Sequence, residues 1–330
     1  MRSCRSILAA GLFSAFAFPS LADTPPVVLA SIKPIHSLVA AVMQGVAEPG
    51  LIVEGAASPH SYALKPSQAA KLAKATHVFW IGHELETFLE KPIETIGDHA
   101  SAIDLLETPG LTTLAFREGG AFDAHENEGE EHEEEGHKED EHTGDQAEQD
   151  HDGHDEHHHD GLDPHIWLDP LNAAVIVREI AAVLSADDPA NAERYAANAA
   201  RTVAALEALT DEITDQLAPV QGAAFVVFHD GYRYFEERFG LHAAGSITIS
   251  PEISPGAERV HEIRDRVKEL GASCVFAEPQ FEPRLISVVL EGSNAKAGAL
   301  DPLGADLEDG PDLYFKLIRN MAAAMRDCLS

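Results

Sequence analysis

Residues 189–217 read PANAERYAANAARTVAALEALTDEITDQL. Within them Tyr195, Ala199, Val203, Leu206, Leu209, Ile213 and Leu217 recur at spacings of three and four, which predicts one helix with a single apolar stripe. At 1.5 Å per residue it spans roughly 40 Å, enough to cross a whole domain. Before it, apolar and β-branched runs at 27–31, 51–53, 76–81 and 101–105 alternate with helical stretches at 34–46, 66–74 and 84–96, and a further helix is expected at 170–184. After it, extended runs at 224–228, 247–249, 274–277 and 295–300 alternate with helices at 232–239, 257–270, 283–290 and 312–329. Alternation of this kind argues for parallel strands with crossover helices. The expected fold is α/β: two Rossmann-like lobes, each a mostly parallel sheet with helices on both faces, joined by one long rigid helix. The boundaries expected are 23–184 for the first lobe, 185–219 for the linking helix and 220–330 for the second. No repeat is visible at the level of residue identity.

The alternation is interrupted once. Residues 118–160 hold 19 acidic side chains, one base (Lys138) and nine of the chain's 18 histidines. The whole chain of 330 residues carries a formal charge of −33, and this tract supplies more than half of it. A chain this acidic repels phosphate, which excludes nucleic acid as its natural partner and disfavours an anionic membrane surface. The tract itself is too polar to offset its chain entropy, and reads as a disordered acidic loop within the first lobe.

The first residues read as an address. Arg2 and Arg5 precede an apolar run over 7–18, too short to span a bilayer, and Pro19-Ser20-Leu21-Ala22 closes it with small residues. Residues 1–22 are therefore expected to be a signal peptide, and the mature chain to begin at Asp23 in the periplasm. No cysteine follows the apolar run, so a lipid anchor is not expected. Beyond Cys4 only Cys274 and Cys328 remain. In an oxidising compartment two cysteines most economically form one disulfide; the alternative is two free thiols, one buried in the 273–277 strand.

Ligands of parallel sheets bind outside the carboxyl ends of strands. His60 lies beyond the 51–53 strand, His229 directly follows the 224–228 strand, and Asp301 follows the strand ending at Leu300. His165 stands just before the 170–184 helix. Three imidazoles and a carboxylate suit Zn²⁺, which takes four ligands and accepts nitrogen readily, whereas Mn²⁺ or Ca²⁺ favours more oxygen. His36, His77, His83, His99, His242 and His261 read as helix-end or surface residues. Tyr62 and Trp167 read as packing residues of the cleft, and Glu278 as a group at the lobe interface or behind a ligand.

The segments Ser31-Ile32-Lys33-Pro34-Ile35-His36-Ser37-Leu38-Val39, Pro59-His60-Ser61-Tyr62, Asp163-Pro164-His165-Ile166-Trp167-Leu168-Asp169-Pro170, Phe228-His229-Asp230-Gly231-Tyr232, Glu278-Pro279-Gln280-Phe281 and Leu300-Asp301-Pro302-Leu303-Gly304 carry a resemblance. Together they resemble the zinc-binding solute-binding proteins of ABC importers, of the ZnuA-like type. The resemblance implies two α/β lobes joined by a rigid helix, with one metal in the cleft between them. It implies His60, His165 and His229 as ligands, with Asp301 at the family's carboxylate position, where zinc-type members have a direct ligand or yield to a water. Manganese-type relatives tend to carry Glu at the position of His229, which favours zinc here. Some zinc-type members place Glu where this chain has Pro59, so that variant of the site is absent. The cysteine pair resembles the C-terminal disulfide of some zinc-type members. The partner implied is the importer's membrane permease, with a periplasmic zinc chaperone as a further partner to consider, and the chain is expected to act as a monomer.

In the tract, nine histidines interleaved with carboxylates form many weak sites, with His154, His157, His158 and His159 the densest group. Weaker secondary zinc binding is expected there. Two rivals compete with the receptor reading. A zinc hydrolase could use a three-histidine site with an open position, but the sequence has no H-E-x-x-H arrangement, and Asp230 is the only candidate base. A zinc buffer without a transporter would differ only in partner.

Overall fold

The computed structural model describes residues 25–117, 122, 161–248, 251, 255–281 and 284–330. Residues 1–22, expected to be a signal peptide, His154, His157, His158 and His159, nearly all of the acidic tract and Ile249 lie outside the described residues.

The first sheet contains β1 (Val28–Ala30), β2 (Gly50–Leu51), β3 (His77–Trp80) and β4 (Ser101–Asp104), in the order β2-β1-β3-β4. The second contains β5 (Phe225–Val227), β6 (Ala243–Ser246), β7 (Cys274–Ala277) and β8 (Lys296–Ala299), in the order β6-β5-β7-β8. Every pairing within both sheets is parallel. One topology is therefore used twice, a repeat that residue identity does not reveal.

The crossovers are α1 (Lys33–Val42), α2 (Pro66–Leu72) and α3 (His83–Thr95) in the first lobe, and α6 (Arg233–Phe239), α7 (Ala257–Glu269) and α8 (Arg284–Leu290) in the second. Between the sheets run α4 (Pro170–Asp187) and α5 (Ala192–Leu217), and α9 (Leu313–Leu329) closes the chain. The long helix is 26 residues, roughly 39 Å. It begins at Ala192, three residues after the position expected, because Asp188 ends α4 and its carboxylate takes the Asn191 amide and the Tyr195 hydroxyl, each at 2.8 Å. Helix α1 stops four residues short of the expected end, and the chain turns at Gly45 with φ 80°.

One extended segment was expected late. The Ile247-Thr248-Ile249 run looks more strand-like than Ala-Ala-Gly-Ser, yet the ladder with β5 pairs Phe225 with Ala243 and Val227 with Ser246. Pairing against a buried central strand overrides intrinsic propensity at this edge.

The core is continuous across the lobes. Val78 and Phe79 of β3, Leu206 and Leu209 of α5, Phe225 and Val227 of β5, and Tyr314 and Leu317 of α9 belong to one buried cluster. A second, smaller cluster covers the other face of the second sheet, with Val226, Val275, Ile263 and Val289. Polar ties reinforce the junction. Buried Lys33 of α1 donates to the carbonyls of Leu307 (2.7 Å) and Ala305 (3.1 Å) and pairs with Asp309 at 3.3 Å. Trp167 Nε1 donates to Pro302 O at 2.9 Å, and the Tyr314 hydroxyl to Trp167 O at 2.7 Å. A disulfide joins Cys274 of β7 to Cys328 of α9, with Cα atoms 6.0 Å apart, and fastens the last helix to the second sheet. No helix among the described residues is long and apolar enough to cross a membrane.

Candidate metal centre

Three segments meet at the carboxyl ends of the sheets. The first follows β2: a single 3₁₀ turn, Pro59–Ser61, presents His60. Gln68 of α2 braces this loop, donating to Ile52 O (2.5 Å) and to the Tyr62 hydroxyl (2.7 Å). The second enters α4. His165 leads a 3₁₀ turn, Ile166–Leu168, and Asp169 then caps α4 through the Leu171 amide (2.8 Å) while forming a two-pronged ion pair with Arg238 (2.7 and 2.6 Å). The third leaves β5 at Phe228 and carries His229.

Among the described residues, His60, His165 and His229 form the one group of three or more possible metal ligands whose ligand atoms all lie within 4.8 Å of one another. Asp163 Oδ1 takes both the backbone amide of His165 (3.0 Å) and its Nδ1 (2.7 Å). Glu278 Oε1 takes Nδ1 of His229 at 2.6 Å. Since a carboxylate accepts, each Nδ1 carries a proton, and in the neutral ring Nε2 then has the lone pair. These two Nε2 atoms lie 3.2 Å apart. Two nitrogens on a tetrahedral zinc at its usual bond length stand about 3.3 Å apart, so the spacing suits a shared ion.

Burial, then the two neighbouring imidazoles, hold His60 well below the usual histidine range, leaving it neutral and able to donate a lone pair at pH 7. For His229 burial also acts downward, but Glu278, through charge and hydrogen bond, and the charges of Asp163 and Asp230 together outweigh it, and the ring titrates above the usual value.

Gly231 completes the cradle. A Cβ there would stand 2.4 Å from His229 Nε2 and 2.9 Å from His165 Nε2, in the space an ion needs. Against the rings opens a cavity of about 10 Å³, lined also by Ser58, Trp167, Gln280 and Leu303, about what one water-sized particle requires.

Asp301 is not brought into this group. Its Oδ1 accepts from the amides of Gly304 (2.9 Å) and Leu303 (3.2 Å) and from Gln280 Nε2 (3.1 Å), and its Oδ2 from the Ala305 amide at 2.6 Å. Asp230 is engaged as well. Arg117 holds its carboxylate and also that of buried Glu236, at 2.8 and 2.9 Å. Arg117 stands where the chain enters the acidic tract, and the tract's two ends are pinned there: Ala115 bridges Leu162 antiparallel, and Asp163 N donates to Leu114 O at 2.8 Å. Two other histidines are structural. His77 bonds Asp187 at 2.7 Å and His36 bonds Pro49 O at 3.1 Å.

Glu278 was expected at an interface or behind a ligand, and it stands behind His229. The roles of Asp163, Gly231 and Arg117 were not anticipated.

Twin parallel sheets facing one trio of buried and half-buried imidazoles define a two-lobed α/β protein whose site could hold a metal ion. The model of the family "ZnuA: Zinc-uptake complex component A periplasmic" matches residues 28–328. The chain belongs to that family. It is 52% identical over 333 residues to the high-affinity zinc uptake system protein ZnuA of Brucella suis biovar 1 (strain 1330), covering 100% of both chains. It is 42% identical over 330 residues to the protein of the same name from Paracoccus denitrificans (strain Pd 1222), covering 100% of this chain and 99% of the relative. A crystal structure of ZnuA shares the fold with a TM-score of 0.72 at 24% identity, covering 93% of this chain and 100% of that one.

Proposed function

We propose that the chain is a periplasmic zinc receptor. It captures Zn²⁺ with His60, His165 and His229 and delivers it to the membrane permease of an ABC importer. The observation that carries this reading is the trio itself, with the Nε2 atoms of His165 and His229 3.2 Å apart and a carboxylate behind each of those two rings. The relatives named as high-affinity zinc uptake proteins support the choice of ion and partner. An all-nitrogen protein donor set favours zinc over manganese, calcium or magnesium.

The division into lobes at 23–184 and 220–330 around a link at 185–219 is kept as part of this reading, with the continuous core arguing for little relative motion. The His154, His157, His158 and His159 group is proposed as accessory, weaker zinc ligands that capture or buffer the ion beside the site. The hydrolase reading finds little support: Asp230, its candidate base, is committed to Arg117, and the cavity has room for about one water-sized particle rather than for a peptide or ester.

The test is a reconstituted importer in vesicles. Zinc-loaded chain should stimulate ATP hydrolysis and zinc uptake, and His229→Ala chain should not. A chain that binds zinc but stimulates neither would be a buffer, and zinc-dependent ester cleavage would mark a hydrolase.

A further inference from the structure

Asp230 lies between His229, a member of the trio, and Gly231, where a Cβ would meet Nε2 of both His229 and His165. The Gly231 amide donates back to His229 O at 2.9 Å, so the three residues form one tight turn. A shift of that turn moves a ligand ring and the wall of the cradle together. The Asp230 side chain gives the turn an outside hold. Arg117 Nε donates to both of its carboxylate oxygens at 3.0 Å, and Nη2 adds a further bond to Oδ1.

The grip is itself anchored. Nη1 and Nη2 of the same guanidinium donate to Glu236 Oε2 (2.8 Å) and Oε1 (2.9 Å). Glu236, in α6, is 1% exposed, and its Oε2 also takes the Ala243 amide of β6 at 2.8 Å. The Phe122 ring lies 4.0 Å from the guanidinium carbon. Arg117 is therefore braced on a group fixed behind the turn, and the acidic tract begins at the next residue. Only the planar fork of an arginine can grip two carboxylates in this way; a lysine would bring a single point charge.

We propose that Arg117 is a positioning residue for the metal site: braced on buried Glu236, it holds Asp230 and through it fixes the turn that carries His229 and Gly231. The inference rests on the zinc-receptor reading and deepens it, adding a residue that controls how firmly the ion is retained. A guanidinium stays protonated and has no lone pair for a metal, so Arg117 acts only through its neighbours. Positioning and bare charge predict opposite signs. Removing a cation leaves the surroundings more negative, which by charge alone holds Zn²⁺ more tightly. Releasing the turn loosens it.

The test uses the full chain. Zinc release from the loaded protein is timed by transfer to a chromogenic chelator, and hydrogen exchange of the Gly231 amide is followed in the apo protein. Arg117→Lys keeps the charge and loses the fork, and should speed both by about tenfold. Arg117→Gln should speed both at least as much. Asp230→Asn leaves Arg117 paired with Glu236, so it keeps the buried anchor and carries the test even if Arg117→Gln fails to fold. It should speed release by about tenfold, and combined with Arg117→Lys should add less than a further twofold, as for residues that act through one another. Slower release from Arg117→Gln would overturn the proposal in favour of charge alone. Lower melting temperatures of the apo variants with release and exchange unchanged would overturn it in favour of a merely structural ion pair. The exchange measurement needs no metal, so a wild-type chain that retained no zinc would refute the receptor reading while the Gly231 amide still decided the role of Arg117.

Discussion

The two sheets share one strand order and finish differently at their carboxyl edges. After β5, β7 and β8 come His229, Glu278 and Asp301. After β1, β3 and β4 come Ser31, the turn at Ile81 and Gly82, and Leu105. The first lobe has acids there too, but they face inward. Glu86 accepts from the amides of Ile81 (2.9 Å) and Gly82 (3.1 Å), and burial pushes its carboxyl up to about 8. Burial, followed by repulsion from Glu107, pushes Asp104 up to about 7. In the second lobe an acid meets an imidazole instead: Glu278 bonds Nδ1 of His229. The first lobe brings His60 to the trio from the loop beyond its edge strand. Topology thus decides where a site can stand, and the partner that each buried acid finds decides whether it serves metal or backbone.

The comparison can be broken most severely at the second lobe. His229→Ala removes a ligand outright and should weaken zinc by roughly three orders of magnitude or more, read by chelator competition; a loss below tenfold would dissolve the distinction between the edges. Gly231→Ala should come next, by about a hundredfold, because its methyl group enters the space between two ligand nitrogens while the apo chain still unfolds cooperatively. Glu278→Gln should cost about 10–100-fold at pH 8. It should also change the pH profile. His229 titrates above the usual range because of Glu278, so in the wild-type protein zinc must displace a proton as the solution is acidified through that raised value, and affinity falls by up to about tenfold per pH unit. Without Glu278 that fall should begin at lower pH.

The smallest effect on zinc belongs to the first lobe. Glu86→Gln should leave affinity within about twofold but change apo stability. A carboxyl raised from 4.5 to about 8 contributes stability that is complete below its unfolded value and is lost as pH rises through its folded value. The wild-type protein should therefore weaken from pH 5 towards 8, with a slope of at most about 1.4 kcal/mol per pH unit from this group, and the variant should weaken less. Denaturant titrations at several pH values check this.

Much of this was legible in the sequence because its signals are local. Alternating apolar runs placed nearly every strand and helix, and the histidines after strand ends stood out by position. What was hidden depends on approach in space. Gly231 could be quoted as part of a motif, but its reason lies in His165, brought close by the meeting of two segments. Asp301 follows a strand as the sequence shows, but the turn just after it, which folds back and offers three amides to the same carboxylate, is visible only in space. Arg117 carried no signal, since its partners Asp230 and Glu236 are more than a hundred residues away. The strand at Ala243–Ser246 was hidden by its own small side chains.

The central claim is that the three histidines hold the ion. Crystals grown with one equivalent of zinc, measured on both sides of the zinc absorption edge, test it most directly. The account predicts one dominant anomalous peak about 2.0–2.1 Å from Nε2 of His165 and of His229 and from a ring nitrogen of His60. A dominant peak elsewhere, with no density between those rings, would contradict it.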